Sequence, residues 1–287
     1  MRWKPLGKFS ALGAAISWLY VFAGDVIEPK RISGIIEEME NTGLLAELPK
    51  YAREAVRFYW ETRVKQLQKQ RDAGGSDQGL RSAVTGGAQM DGFIELLTKL
   101  TVDAGIDRSH IYYRDSLELP GYFRPNKKWD FIVVAKGQLV AALETKSQVG
   151  PSFGNNFNNR TEEAMGSALD LWTAFRENAF GSAVRPWIGY MFLLEESDRS
   201  TSPVAVKEPH FKVFPEFRQS SYAKRYELFC RRLVLERHYD AAAFLMSNAE
   251  KGANGDFSEP ANDLTFQSFA NSLVAHIAAF SGRIKQL

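Results

Sequence analysis

Three charged residues stand beside two apolar segments near the middle of the chain, and their types suit a hydrolytic metal site. Asp130 precedes the apolar run 131–135, while Glu144 and Lys146 close the run 138–146. Burying such charges costs several kcal/mol each unless they are paired or bind a metal. Two acids and a lysine at this spacing could hold a divalent cation and direct a water molecule at a phosphodiester.

The two apolar runs are predicted to pair as antiparallel strands of one hairpin. A three-residue loop, 135–137, would end on a glycine in the left-handed position that such loops favour. Side chains alternate along a strand, so this loop places Asp130 opposite Ala142, on the face shared by Glu144 and Lys146. A two-residue loop would put Asp130 on the other face. The alternative is a surface hairpin with charged ends, which the apolar character of both strands disfavours.

The predicted elements around this hairpin follow the order helix, strand, strand, strand, helix, strand. Apolar periodicity and proline or glycine punctuation set their limits. The corresponding segments are a helix at 90–100, a strand at 110–113, the two hairpin strands, a helix at 161–177 and a strand at 187–194. Further helices are predicted at 49–70, 222–239 and 264–284, and 241–246 could be a strand. The stretches 72–87 and 149–159 are predicted to be loops.

Both the charged residues and this order resemble the PD-(D/E)XK nuclease superfamily. Its pattern is an acid, a gap, and then acid-x-Lys, which Asp130 and Glu144-Thr145-Lys146 match, with Trp129 where the superfamily usually has proline. The resemblance implies an α/β fold with a restriction-endonuclease-like core. In such a core a mixed sheet carries helices on both faces, and here further helices would flank it.

A longer match narrows the resemblance to the XhoI family of type II restriction endonucleases. It is carried by segment 144–164, which contains Gly-Asn-Asn-Phe-Asn-Asn-Arg at 154–160, and by Phe-Pro-Glu-Phe at 214–217 followed by Ser-Tyr-Ala-Lys-Arg-Tyr at 221–226. The asparagine string is far more specific than Glu-x-Lys. The resemblance runs from about residue 39 to the C-terminus.

This family resemblance implies an activity, a cofactor and partners. Members cut both strands of the palindrome CTCGAG with Mg²⁺, as homodimers and alongside a protective DNA methyltransferase. Carried onto this sequence, Asp130 and Glu144 are the expected metal-binding acids, the backbone carbonyl of Thr145 is a further ligand, and Lys146 is the catalytic lysine. Related nucleases often add an acid from the first core helix. Glu95 is that candidate, and the alternative is a solvated helix residue.

Two polar groups are candidates for contacts to double-stranded DNA. Asparagine matches the adenine edge and arginine the guanine edge, and five such residues follow the catalytic strand: Asn155, Asn156, Asn158, Asn159 and Arg160. They could instead fix their loop through backbone hydrogen bonds. Lys224 and Arg225 begin a basic face of the helix predicted at 222–239. This face could contact DNA phosphates, or it could simply be solvated.

Length and composition fit a globular enzyme. The chain has 287 residues, 45% of them hydrophobic, so it can bury a substantial core in one large or two small domains. The formal net charge of +2 excludes binding to nucleic acid by bulk charge, but it fits an acidic metal site offset by a basic cleft. Cys230 is the only cysteine, so there is no disulfide framework or cysteine-based zinc site, and the four histidines form no metal motif.

The N-terminus allows several interpretations. Its basic start and apolar stretch 9–24 look like a signal peptide, and the stretch is short for a spanning helix. It could also be an extension that packs on the core, or translation could begin at Met39. We expect residues 1–38 to be an extension and 39–287 to be one endonuclease domain with a catalytic core at about 88–195. The protein is expected to be cytoplasmic, without stable membrane association.

The sequence leaves three rivals to a Mg²⁺-dependent, sequence-specific endonuclease. One is a repair or resolving nuclease of the same fold that reads DNA shape. Another is a catalytically silent DNA-binding module in which Asp130 and Glu144 are structural acids. The third, suggested by the first 24 residues, is an exported or membrane-associated protein.

Overall fold

A five-stranded mixed sheet forms the centre of the structure. The computed structural model of the chain describes residues 43–72, 88–181 and 184–284. Its strands, in chain order, are β1 (Ile111–Tyr112), β2 (Glu118–Pro120), β3 (Asn126–Lys128), β4 (Phe131–Ala135), β5 (Gln138–Gln148), β6 (Trp187–Glu195) and β7 (Ala241–Ser247). The strand order in the sheet is β1-β4-β5-β6-β7, with antiparallel pairing up to β5 and parallel pairing beyond it. β2 and β3 form a separate small hairpin.

The helices cover both faces of the sheet. They are α1 (Leu48–Asp72), α2 (Asp91–Asp103), α3 (Phe153–Arg176), α4 (Asp198–Thr201), α5 (Tyr222–Leu235), α6 (Ala249–Gly252) and α7 (Phe266–Ile284). Short 3₁₀ turns occur at Ala88–Met90, Arg108–His110 and Pro215–Phe217. The predicted mixed sheet with helices on both faces and additional flanking helices is confirmed.

Strand alternation divides the core into two layers. Phe131 and Leu143 point into the layer formed with α1, α2 and α7. Ile132, Ala142 and Tyr190 point into the opposite layer, which is formed with α3 and α5. Because Glu144 follows Leu143, its side chain belongs to the α3 and α5 face.

The turn between β4 and β5 differs from the prediction. It has two residues, Lys136 and Gly137, with φ of 52° and 71°, and Ala135 pairs directly with Gln138. Two-residue hairpin turns favour positive φ at both positions because their twist then matches that of the strands. The predicted three-residue loop 135–137 was therefore wrong.

A shift in pairing returns Asp130 to the predicted face of the sheet, but the predicted partner was wrong, because Ala142 pairs with Ile132. Val134 pairs with Leu139, but Val133 pairs with Ala141, which leaves Val140 as an extra residue on β5. Such a β-bulge moves all later residues of the strand by one position. Continued one residue beyond the last pair, Phe131 with Leu143, this register sets Asp130 opposite Glu144, and Nζ of Lys146 lies 3.4 Å from the first carboxylate and 2.9 Å from the second.

Helix α3 begins at Phe153, eight residues before the predicted start, and absorbs the asparagine string that was predicted to be a loop. Asparagine is a weak helix former, but aromatic contacts hold the first turns in place. Phe153 stacks on Tyr222 with ring centroids 5.9 Å apart, and Phe157 meets Tyr226 edge-on at 5.0 Å. Tertiary packing thus outweighs local propensity over these residues.

The β2–β3 hairpin lies on the α3 side of the sheet, in a segment for which the sequence analysis predicted neither a helix nor a strand. The buried carboxylate of Asp170, on α3, closes its tip by accepting hydrogen bonds from three consecutive residues. The donors are the backbone N–H groups of Tyr122 (2.7 Å) and Phe123 (2.9 Å) and Nε of Arg124 (2.6 Å). A charge buried in this way is favourable because its hydrogen bonds replace those to water.

Strand β7 stands at one border of the sheet, and the following segment covers it. The N–H groups of Phe244 and Met246 donate to the carbonyls of Leu264 and Ser258, at 2.9 and 2.8 Å. Ser258 N–H returns a bond to Met246 at 2.7 Å. The outer hydrogen-bonding groups of these two β7 residues are therefore already used within the chain.

The N-terminal predictions fall outside the described residues. This applies to the apolar stretch 9–24 and to the proposed extension 1–38, so the division at residue 39 stays a prediction. In the described ranges, no helix is both long enough and apolar enough to cross a membrane.

Candidate active site

Four charged side chains meet where β3, β4 and β5 come together. They are the two acids that face each other, Asp130 and Glu144, and two lysines, Lys146 and Lys127. The first three were predicted from the sequence. Lys127 was not.

Asp130 is the more accessible of the two acids. Its side chain is 39% exposed. One oxygen, Oδ2, accepts from the backbone N–H of Thr145 at 2.8 Å and lies 3.4 Å from Nζ of Lys146. The bond to Thr145 ties this carboxylate to the strand that carries Glu144. It also places the main chain of Thr145 beside Asp130, where the predicted carbonyl ligand would be required.

Glu144 is nearly inaccessible, and both of its oxygens have donors. Oε1 lies 2.9 Å from Nζ of Lys146 and 3.2 Å from Nζ of Lys127. Oε2 accepts from the hydroxyl of Tyr239 at 3.2 Å. Burial by itself would raise the pKa of Glu144, but the two ammonium groups outweigh it and lower the pKa overall. Glu144 is therefore an anion held among donors.

Lys146 bridges the two acids. Burial would lower its pKa, but the carboxylates of Glu144 and Asp130 outweigh burial and raise it. In this arrangement the side chain is an ammonium ion and a hydrogen-bond donor. It is suited to orient a water molecule or a phosphate oxygen rather than to accept a proton.

Lys127 enters the cluster from the end of β3. Its side chain is 12% exposed, and its Nζ lies 4.4 Å from the ring centroid of the buried Trp129. Burial lowers its pKa below the usual lysine value, although Glu144 opposes that shift. Its position three residues before Asp130 was the one available signal in the sequence. Lysines near a predicted strand end are usually solvated, so the residue was not singled out.

Glu95 is not brought to this cluster by any contact in the described parts of the chain. It is exposed on α2, and the buried residues of that helix pack into the layer on the opposite face of the sheet from Glu144. Its proposed role as a third metal-binding acid stays a prediction without geometric support.

The asparagine string forms the exposed side of the first turns of α3. Asn155, Asn158 and Asn159 are exposed, and Asn156 is half-buried. Positions three and four apart share a helix face, so the three exposed amides point the same way. No hydrogen bond joins any of these four side chains to another described residue. The alternative in which they fix a loop is therefore not supported.

The three basic residues predicted to contact DNA have different surroundings in the structure. Arg160 pairs with Glu163 at 2.6 Å, and its charge acts on Lys146, which places it on the side of α3 nearest the cluster. Arg225 donates to Ser220 Oγ and to the carbonyl of Val204, both at 3.0 Å. Arg225 therefore holds a neighbouring loop. Lys224 lies beside it on α5 and pairs with Glu227 at 2.8 Å.

The fold and the cluster define an α/β protein with a restriction-endonuclease-like core and paired acids at the junction of two antiparallel strands. Comparison with known proteins gives the particular family. The model of the family described as restriction endonuclease XhoI matches residues 69–259. The chain belongs to this family of type II restriction endonucleases and is an enzyme of the site-specific deoxyribonuclease class.

Three curated relatives are similar to most of the chain. Type II restriction enzyme BstVI from Geobacillus stearothermophilus is 55% identical over 72% of this chain and 95% of its own length. Type II restriction enzyme XhoI from Xanthomonas vasicola is 44% identical over 67% of the chain and 77% of its own length. Type II restriction enzyme AbrI from Azospirillum brasilense is 50% identical over 58% and 76%, respectively. No solved structure matches the chain.

Proposed function

We propose that this chain is a Mg²⁺-dependent endonuclease that makes double-strand cuts at CTCGAG, with Asp130, Glu144 and Lys146 as its catalytic residues. The observation that carries the proposal is the β-bulge at Val140, which sets the two acids opposite each other beside the bridging lysine. The CTCGAG target rests on the family resemblance.

The donor chemistry at the cluster fits Mg²⁺. This ion is usually bound by one or two carboxylates together with waters and substrate phosphates. Asp130 and Glu144 provide two carboxylates that already converge on one cation, the ammonium group of Lys146. In the described ranges no group of three or more His, Cys, Asp or Glu side chains forms a fuller cage. Such a site would depend on the phosphate of the substrate for its remaining ligands.

Each residue has a distinct part in the proposed reaction. Bound Mg²⁺ would polarise the scissile phosphate and lower the pKa of the attacking water. Asp130 and Glu144 would hold the ion, together with the Thr145 carbonyl. Lys146 would donate a hydrogen bond that orients the water or stabilises the charge that develops on the phosphate.

The exposed amides of α3 are proposed to read bases, because no described residue hydrogen-bonds to them and they lie on the helix that starts directly after the catalytic strand. A palindrome is most simply read by a two-fold symmetric pair of identical chains. We therefore propose a homodimer in which each protomer cuts one strand of double-stranded DNA. A cognate methyltransferase would protect the host sites, and the enzyme would act in the cytoplasm, where that DNA is.

Digestion of a plasmid of known sequence with one CTCGAG site tests this proposal. We expect one linear product with Mg²⁺, none with EDTA, and identical ends on sequencing. A smear with Mg²⁺ would instead indicate the nuclease that reads DNA shape, and DNA binding without cutting would indicate the silent module. Light scattering of the free protein tests the dimer, which a strictly monomeric active enzyme would exclude.

A further inference from the structure

Lys127, the second lysine of the cluster, has no part in the proposed chemistry, yet it contacts Glu144, the more buried of the two clustered acids. Lys127 Nζ lies 3.2 Å from Oε1 of Glu144, the same oxygen that Lys146 approaches to 2.9 Å. A metal ion bound by Glu144 would need a lone pair on one of its oxygens. The ammonium group of Lys127 would therefore compete with a bound metal ion for this carboxylate.

The charge balance of the cluster makes this competition consequential. Asp130 and Glu144 supply two negative charges, and Lys146 alone would leave one of them unbalanced. Lys127 brings the formal sum to zero. A site without net negative charge attracts a free divalent cation weakly, whereas two ammonium groups attract a phosphate. The cluster is thus better matched to a metal that arrives with DNA than to a metal alone.

Lys127 belongs to a different strand from Glu144. It lies on β3 of the β2–β3 hairpin, whose tip is fixed by the buried Asp170. The side chain also rests on the ring of Trp129. Its contact with Glu144 is made by the side chain alone, so a change of rotamer is enough to release the carboxylate.

We infer that Lys127 is a positioning residue that acts as an internal counter-cation. In the DNA-free protein its ammonium group contacts the Glu144 carboxylate and weakens metal binding there. Metal binding is thereby coupled to DNA binding. The inference rests on the proposed role of Glu144 as a metal ligand. Coupling of this kind is reciprocal, and typical values correspond to roughly 5- to 150-fold in affinity.

The test measures Mn²⁺ binding to the full-length, DNA-free protein by electron paramagnetic resonance of the free ion. Lys127→Met removes the charge and keeps an apolar side chain on Trp129. Lys128→Met is the matched control. Lys128 is exposed on the same strand, and its substitution changes the net charge by the same amount. Lys127→Arg retains a cation. Thermal unfolding of each variant checks that it is folded.

We expect Lys127→Met to bind Mn²⁺ at least about fivefold more tightly than the wild type, with Lys128→Met and Lys127→Arg close to wild type. A non-cleavable CTCGAG duplex should tighten Mn²⁺ binding to the wild type by a larger factor than to Lys127→Met. Equal affinities of wild type and Lys127→Met, or equal tightening in both methionine variants, would overturn the inference.

A Glu144→Gln variant separates this inference from the proposed function. If the wild type and Lys127→Met bind Mn²⁺ equally and Glu144→Gln abolishes binding, the role of Lys127 is wrong and the metal site stands. If Glu144→Gln leaves Mn²⁺ binding unchanged, Glu144 is not a ligand. Both the inference and the proposed metal site then fail.

Discussion

The half-buried imidazole of His276, on α7, lies against the main chain of Val140, the extra residue of the bulge in β5. Its Nε2 has no hydrogen-bond partner among the described residues. A helix on one face of the sheet thus meets the irregular backbone that brings Asp130 opposite Glu144 on the other face.

The environment of His276 predicts that the folded protein loses stability in acid. Burial lowers the pKa of His276 to about 4 from 6.5. The unfolded chain then binds the proton more strongly, so stability is constant above pH 6.5 and falls as the pH drops toward 4, by roughly 3 kcal/mol for this group. Chemical denaturation of wild type and His276→Gln across this range should show the loss in the wild type only.

A second substitution tests whether His276 donates a hydrogen bond to the carbonyl of Val140. His276→Phe removes both ring N–H groups, and leaving a buried carbonyl unsatisfied would cost about 1–3 kcal/mol. We expect His276→Phe to be less stable at pH 7 than His276→Gln, which keeps an N–H group. His210→Gln, at an exposed position, should leave both the stability and its pH dependence unchanged. Equal stability of the Phe and Gln variants would show that the bond to Val140 contributes nothing.

Variants at the three proposed catalytic residues should all lose activity, but they should lose stability to different extents. Asp130→Asn, Glu144→Gln and Lys146→Met are each expected to slow cleavage by at least about 10²-fold, while DNA binding measured in Ca²⁺ is retained. Glu144→Gln should also destabilise the fold most, because removing one partner of a buried ion pair costs about 3–5 kcal/mol, whereas Asp130 is 39% exposed. Near-wild-type cutting by any of the three variants would refute the assignment.

The exposed amides of α3 should determine sequence preference. Asn155→Ala, Asn158→Ala and Asn159→Ala are expected to lose about 1–3 kcal/mol of discrimination at individual base pairs if they contact base edges. Asn254→Ala serves as the control, since Asn254 is also exposed but follows α6, which packs on α1. The measurement is cleavage of duplexes that carry every single substitution of CTCGAG. A uniform loss across all duplexes would indicate phosphate contact instead.

Asp170 should control the β2–β3 hairpin and with it the placement of Lys127. Burial would raise the pKa of Asp170, but its bonds to Phe123, Arg124 and Tyr122 outweigh burial and lower the pKa. The stabilisation is therefore present above the unfolded value of about 3.8 and is lost as the pH falls through the lower folded value. Asp170→Asn should be less stable at pH 7, with the difference closing in acid.

The local consequence of this substitution is measurable by limited proteolysis. Trypsin should cleave Asp170→Asn faster than the wild type after Lys127 or Lys128, because the hairpin opens more often. Asp103→Asn, at an exposed position on α2, is the matched control. Unchanged cleavage in Asp170→Asn would mean that the rest of the hairpin holds it in place.

The sequence predicted most strands and helices of the core and three of the four clustered charges, but not the details that align them. Apolar runs and charged interruptions are local properties, so β4, β5, Asp130, Glu144 and Lys146 could be found by pattern. The bulge at Val140 lies against α7, more than 130 positions away in the chain, and it leaves no local signal.

The two other misses have the same origin. Helix α3 was predicted to start at 161 because the polar stretch 149–159 has the composition of a loop, while packing of Phe153 and Phe157 on α5 decides the outcome. Lys127 was overlooked because its environment comes from Glu144 and Trp129 once the chain has folded. Pairing between distant segments, rather than local preference, fixes all three features.

The covered border of β7 constrains how two copies of the chain can associate. Since Phe244 and Met246 already donate their outer N–H groups to Leu264 and Ser258, a second chain cannot extend the sheet at these positions. At the other border, β1 spans only two residues. Within residues 43–72, 88–181 and 184–284, helices and loops rather than a continued sheet are therefore left to join a pair of protomers. Such a joint can separate and re-form while each protomer stays folded, so subunits carrying different tags should exchange on mixing.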